Sequence, residues 1–266
     1  MKPLYIYFLA ASLACTSCSD SWLDLNPSTS VPTDQAFSSL EDAQSALNGI
    51  YRLASAHSYY GDNFFYFGDC RAADVQARMT KGDGRRVSPY YEYNVKATDS
   101  FNSSLPWNQV YKVIRQTNNL IAATESGLIK TTDEAALNEI KAQALAMRGL
   151  ALYDLIRVFA MPYSYDNGQS LGVPIVTTAT DQSSKPARNT VAECYDQIIT
   201  DLTNSLAGLS KEKKDGCLNY WAVQGILSRV YLNKLDYPNA YKAATDVIEN
   251  SKNLYQLYTL DEYPTV

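Results

Sequence analysis

Apolar residues recur at helical spacing most persistently over residues 131–160. One row runs Leu137, Ile140, Ala144, Met147, Ala151, Leu155 and Val158; a second runs Leu145, Leu152, Ile156 and Phe159. Apolar rows on two faces predict a helix buried on most of its circumference, hence a central one. Thr131 and Glu134 have the spacing of a capping box, and Pro162 stands beyond the far end. At 1.5 Å per residue the rod is about 40 Å long. It needs other helices on both flanks, and the pattern supplies them.

Upstream, Ser38 and Glu41 suggest a capping box ahead of a helix with Ala43, Ala46, Leu47, Ile50 and Tyr51 on one face. Pro106 opens the next helix, where proline is tolerated, with Trp107, Val110, Tyr111, Ile114 and Ile121 in phase. Asn118 shares that face and is expected to bond a neighbouring loop. Downstream, Thr190 and Glu193 form a third capping box, before Val191, Tyr195, Ile198, Leu202 and Leu206. Two shorter helices follow, over residues 220–235 (Val223, Leu227, Val230, Tyr231) and 239–250 (Ala240, Ala244, Val247, Ile248), with Asp236, Tyr237 and Pro238 as the turn. Leu227, Tyr231, Tyr237 and Ala240 lie at tetratricopeptide offsets, and the Trp107 helix with the central helix makes a second possible pair. The expected class is all-α.

Two stretches lack the helical period. Residues 57–101 carry Tyr59, Tyr60, Phe64, Phe65, Tyr66, Phe67, Tyr90, Tyr91 and Tyr93. They read as mostly loop, with a short helix over 72–79 and a short strand over 90–95. Residues 162–189 form a long loop with Gly168, Gly172, Pro174 and Pro186, of the kind that is functional or acts as a cover. Loops concentrate binding residues. Aromatic rings suit the C–H face of a sugar, so Tyr90, Tyr91 and Tyr93 are the candidate ligand-binding residues, at about 1 kcal/mol per stacked ring. The plainer reading is that rings such as Phe64 and Phe67 plug helices together.

Composition narrows the chemistry. The net charge of −5 argues against nucleic acid as a partner, and the single histidine, His57, rules out any mechanism needing two. Tyrosine is abundant, 21 of 266 residues, which suits half-wet packing and ligand-facing surfaces. Cys70, Cys194 and Cys217 are an odd set without a C-x-x-C, and no four closely spaced ligands suggest zinc. Cys194 on an apolar helical face reads as a buried free thiol. No cofactor or metal is expected. Asp69 and Asp74 could be proposed as a glycosidase pair, but acids flanking Arg71 and Arg78 are better read as structural ion pairs. Asp154 and Arg157, three apart on the central helix beyond Arg148, read the same way. No enzymatic activity is expected.

The first seventeen residues read as a targeting signal. Lys2 is their only charge, and residues 4–14 form an apolar run of about eleven residues, too short to span a bilayer. Small residues then lead into Cys15 and Cys18. The segment looks like a bacterial lipoprotein signal. Cys18 is the expected lipid attachment site and Cys15 the alternative, because residues 19–24 (SDSWLD) read as the start of a mature chain. A lipid anchors the chain to a membrane without spanning it. Residues 18–33, polar with two prolines, are the expected tether.

Taken in order, these pieces resemble the SusD/RagB family of surface lipoproteins from Bacteroidetes nutrient-uptake systems. The residues that carry the resemblance are Ser17-Cys18-Ser19-Asp20 with Trp22-Leu23-Asp24, Asn48-Gly49-Ile50-Tyr51, Trp107-x3-Tyr111-x2-Ile114-x3-Asn118, and Ala144-x3-Arg148-x4-Tyr153-x-Leu155-x-Arg157-x-Phe159. Leu171-Gly172-Val173-Pro174, Thr190-Val191 with Tyr195-x2-Ile198-x2-Asp201-Leu202, and residues 222–240 complete the series. The resemblance implies a superhelix of tetratricopeptide-like helix pairs with long irregular loops. It implies a lid over a SusC-like TonB-dependent transporter, which captures an oligosaccharide or peptide and hands it on without catalysis. It also implies a surface-exposed place on the cell outer membrane. Family members are roughly twice this length, so residues 34–266 correspond to the N-terminal helical portion, and the C-terminal half of the family fold is expected to be absent. Met161-Pro162-Tyr163 stands where many members have a glycine. A tetratricopeptide scaffold lipoprotein that binds only proteins is the competing reading.

Overall fold

The computed structural model describes residues 37–72, 88–94, 106–178, 184–251, 254–255 and 259–262. The expected signal segment and tether, with Cys15 and Cys18, lie outside the described residues. Within them every regular element is helical: α1 Leu40–Ala54, a π-helical turn His57–Gly61, α2 Asn63–Arg71, α3 Ser88–Tyr91, α4 Trp107–Glu125, α5 Glu134–Phe159, a 3₁₀ turn Tyr163–Tyr165, α6 Val191–Ser205, α7 Tyr220–Asn233 and α8 Tyr237–Asn250.

Helix α5 is the centre. Leu137, Ile140, Ala144, Met147, Ala151 and Leu155 are buried on one side, Leu152 and Ile156 on another. Helix α4 packs along one flank and α6 along the other; α1 covers α4 and part of α5. Helices α7 and α8 form an antiparallel hairpin against α6, as tetratricopeptide spacing requires. Leu235 adopts a left-handed φ of 65° in its turn. The close approach of α5 and α6 depends on Gly149, where an added Cβ would stand 2.9 Å from Leu202 Cγ and 3.3 Å from Asp201 Cβ. Ile248, one of the apolar residues read on this helix, is 77% exposed; Ala240 and Ala243 are the buried residues of α8.

The helix starts correct two expectations. The α5 N-cap is Asp133, whose Oδ1 accepts from Ala136 N at 3.0 Å, and Thr131 only supports the entering turn by accepting from Asp133 N. The α1 box is Ser39 with Asp42, one residue later than Ser38 with Glu41. Asp42 wins because its carboxylate collects Ser38 N, Ser38 Oγ and Ser39 N together. Those bonds hold it below the usual carboxylate range. The Thr190–Glu193 box forms as read. In α8, Asp236 is the N-cap, so Tyr237 and Pro238 belong to the first turn and not to the link.

The long loop after α5 is strapped down. Gly172 N donates to Asn189 O at 2.7 Å, and Asn189 N returns a bond to Val173 O. Arg188 reaches Phe159 O and Gly172 O, and Tyr111 donates to Pro174 O at 2.8 Å. Val173 is fully buried, and Cys194 Sγ, a buried free thiol, lies 3.4 Å from its carbonyl oxygen. The loop's ends are therefore a cover fixed across α4, α5 and α6.

Candidate functional site

Residues 57–71 form helical turns, which corrects the expectation of loop. Tyr59 and Tyr60 stack at 4.2 Å between ring centroids, and Phe64 meets both edge-on at 5.7 and 5.5 Å. Tyr59 donates its hydroxyl proton to Asp154 Oδ2 at 2.6 Å, and Tyr60 donates to the same oxygen. Asp154 is 2% exposed. Burial pushes its carboxyl above the usual aspartate range, although both phenols and Arg157 act in the opposite direction. Burial, with the neighbouring carboxylate, also pushes both phenols upward. Arg157 lies 3.4 Å from Asp154 Oδ1, the intrahelical pair read from spacing, with its guanidinium over the Tyr153 and Phe64 rings at 5.3 and 5.8 Å.

Arg148 lies two turns earlier on α5 and is differently housed. It grips Asp201 of α6 with two bonds, Nε to Oδ2 at 2.7 Å and Nη2 to Oδ1 at 2.6 Å. Its Nη1 donates to Asn118 Oδ1 of α4 and Thr177 O. Asn118 Nδ2 closes the network on Val176 O and Thr178 O, the loop bond expected of it, and Gln197 donates to Asp201. This bidentate network engages each guanidinium nitrogen and joins three helices and the cover loop, so it acts as a structural clamp.

The candidate tyrosines do not share one environment. Residues 90–91 lie in α3 and 92–94 in the following turn, in place of the expected strand, because Glu92 N and Asn94 N bond back to Ser88 O and Pro89 O. Tyr90 is 2% exposed, its ring edge-on to Phe67 at 5.6 Å. Tyr91 lies at the surface, and Tyr93 stands out at 68% exposed with a left-handed φ of 53°. Tyr93 donates to Arg71 O, and the Arg71 guanidinium sits over Phe67 at 4.7 Å and Tyr93 at 5.8 Å. Phe65 and Tyr66 add two exposed rings on α2, whose phase the sequence did not disclose. Asp69 is exposed on the same helix, while Asp74, Arg78 and the rest of the proposed helix beyond Ala72 lie outside the described residues.

A concavity of about 670 Å³ runs along α6, α7 and α8. Asp246 on its wall accepts from Tyr220 at 2.9 Å and Gln224 at 2.8 Å. Among the described residues no three His, Cys, Asp or Glu side chains gather as a metal would require, and no helix is long and apolar enough to cross a membrane.

Comparison with known proteins assigns this architecture. A family model of SusD-like proteins, described as starch-binding and associating with the outer membrane, matches residues 21–232. A SusD-like protein of Formosa agariphila is 30% identical over 256 residues, which are 94% of this chain and 47% of that protein. The crystal structure of a SusD superfamily protein from Bacteroides thetaiotaomicron superposes with a TM-score of 0.82 at 64% identity, covering 86% of this chain and 50% of that one. One from Bacteroides vulgatus gives 0.79 at 31%, covering 86% and 51%. The chain thus spans about half the length of these relatives, and it belongs to the SusD/RagB family.

Proposed function

We propose that this chain is the helical portion of a cell-surface nutrient-binding lipoprotein. It captures a glycan, or alternatively a peptide, and delivers it to a SusC-like TonB-dependent transporter in the outer membrane. The observation that carries this reading is the family match over residues 21–232, described as starch-binding and outer-membrane-associated. Cys18 bears the lipid, with Cys15 as the alternative attachment site. The helices serve as a rigid frame, and ligand contact falls to exposed rings: Tyr91 and Tyr93, with Phe65 and Tyr66 on the adjoining helix and Tyr90 as their buried support. An exposed phenol stacked on a pyranose contributes about 1 kcal/mol, so several rings acting together are needed for useful affinity. The role is capture and transfer, with no bond broken.

A pull-down from native outer membranes with the Cys18-anchored chain, read by mass spectrometry, tests the partner. Recovery of a large TonB-dependent barrel is the expected result. An anchored, folded chain that recovers no barrel would remove the transporter from the reading.

A further inference from the structure

A cavity of about 330 Å³ opens where α5 ends, between its last turn, the chain from Met161 to Ser164, α6 and the end of α7. It is separate from the exposed rings of α2 and α3. Tyr195 of α6 lines it and is 4% exposed. Its ring is held edge-on by Tyr163 at 5.6 Å and by Tyr153 at 6.4 Å. Its hydroxyl makes no hydrogen bond among the described residues, and it is not one of the polar atoms sealed from solvent. A buried phenol normally finds a partner. This one has none among the described residues.

Arg157 also lines the cavity. A guanidinium carries five N–H donors. Among the described residues only Nη1 is engaged, in the 3.4 Å contact with Asp154, and the side chain remains 36% exposed. The Tyr153 and Phe64 rings fix its plane without using its donors. Arg148, on the same helix, shows the alternative: each of its three guanidinium nitrogens donates to a protein oxygen. Met161 and Leu232 supply apolar wall, and Asn233, which donates to Tyr153 Oη at 2.6 Å, lies beside them.

A planar fork of free donors beside an unpartnered phenol O–H matches a carboxylate, which accepts two parallel bonds from guanidinium and a third from hydroxyl. Apolar wall beside it suits the C–H surface of whatever bears that carboxylate, and the volume admits a group of about monosaccharide size. We infer that this cavity is a carboxylate-binding subsite, in which Arg157 and Tyr195 hold the anionic group of an acidic ligand. Two sources present that chemistry: a uronic acid residue of a glycan and a carboxylate of a peptide. The site requires neither transporter docking nor the exposed tyrosines, so it stands or falls separately from the proposed role.

Calorimetric titration of the full chain with glucuronate, galacturonate, glucose and N-acetyl-glutamate tests it, alongside Tyr195→Phe and Arg157→Gln. Tyr195→Phe keeps the ring packing and removes only the hydroxyl, and circular dichroism verifies folding of both variants. The expected result is binding of at least one acidic compound with none of glucose, weakened roughly tenfold in each variant, as for a charge-assisted hydrogen bond. Which acid binds identifies the source: uronates assign a glycan, N-acetyl-glutamate a peptide. Glucose binding as well as glucuronate, acid binding unchanged in both folded variants, or no binding of any acid would each overturn the subsite.

Discussion

Helix α5 carries two arginines a few turns apart, each paired with an aspartate, and the pairs differ in every respect that matters. Arg148 and Asp201 bridge two helices with short parallel bonds, and their remaining polar atoms are taken up by Asn118, Gln197 and Thr177. Arg157 and Asp154 are neighbours on one helix, joined by one long contact, and the aspartate's second oxygen belongs to two tyrosines. The first pair is complete within the protein. The second holds a carboxyl out of water while leaving its arginine half in it. The difference teaches that burial and opposite charge do not define a site; leftover donors do.

The largest effect should come from the closed pair. Arg148→Ala leaves the Asp201 carboxylate buried without its counter-charge, and Asn118 and Thr177 O without a donor. Breaking one side of a buried pair costs about 3–5 kcal/mol, so urea unfolding should show a correspondingly lowered midpoint. Arg148→Met with Asp201→Leu removes both charges and should recover much of that loss. A double variant no better than the single would mean that the clamp acts through geometry and not through charge.

The open pair should respond next, and with a pH signature. Asp154→Ala strips the acceptor from two phenols, one fully buried, at about 1–3 kcal/mol for each hydroxyl left unsatisfied. Asp154→Asn keeps an acceptor and removes the titration. Because the folded carboxyl binds its proton more tightly than the unfolded one, the folded state holds an extra proton between the two values. Stability therefore falls as pH rises from the ordinary aspartate value of about 3.9 through the raised folded value, and is level above it. Urea midpoints across that range should shift in favour of the Asn variant as pH rises. A constant gap would mean that Asp154 titrates alike in both states.

What could be read from the sequence follows the same division. Periodicity exposed α1, α4, α5, α6 and the α7–α8 hairpin, because each buries apolar rows at helical spacing and that spacing is local information. The Asn118 bond to the cover loop was legible, since a polar residue on an apolar helical face needs a partner. Arg148 with Asp201 was not: the two lie 53 positions apart, and only the packing of α5 on α6 through Gly149 brings them together. The segment around Tyr59 to Arg71 looked irregular because its aromatics cover several directions. Tyr59 and Tyr60 aim at Asp154, while Phe65 and Tyr66 face solvent. The caps at α1 and α5 were misplaced by one and two residues. Competing Ser, Thr, Asp and Glu side chains crowd both starts, and only geometry decides which oxygen reaches the free N–H groups. The ring positions at Tyr90, Tyr91 and Tyr93 share a stretch of sequence but not a surface. A helical turn sends one inward and a left-handed residue sends another out.

The smallest effect is the most discriminating. Arg157→Gln removes a guanidinium whose ion pair is long and whose side chain is partly solvated, so its contribution to stability should lie within about 1 kcal/mol. The loss has a direction as well as a size. Arg157 is one of the groups that hold the Asp154 carboxyl down, so without it the folded carboxyl takes its proton at still higher pH. The variant should then lie closest to the wild type at low pH, where a protonated Asp154 has no charge for Arg157 to offset. It should fall behind as pH rises and the wild-type carboxyl begins to ionise. Parallel unfolding curves for Arg148→Gln and Arg157→Gln at pH 4 and pH 8 make the comparison directly: a large loss at both for the clamp, and a small loss that grows with pH for the open arginine. Equal losses at either pH would mean that Arg157 is as structurally committed as Arg148 and has no donors to offer a ligand.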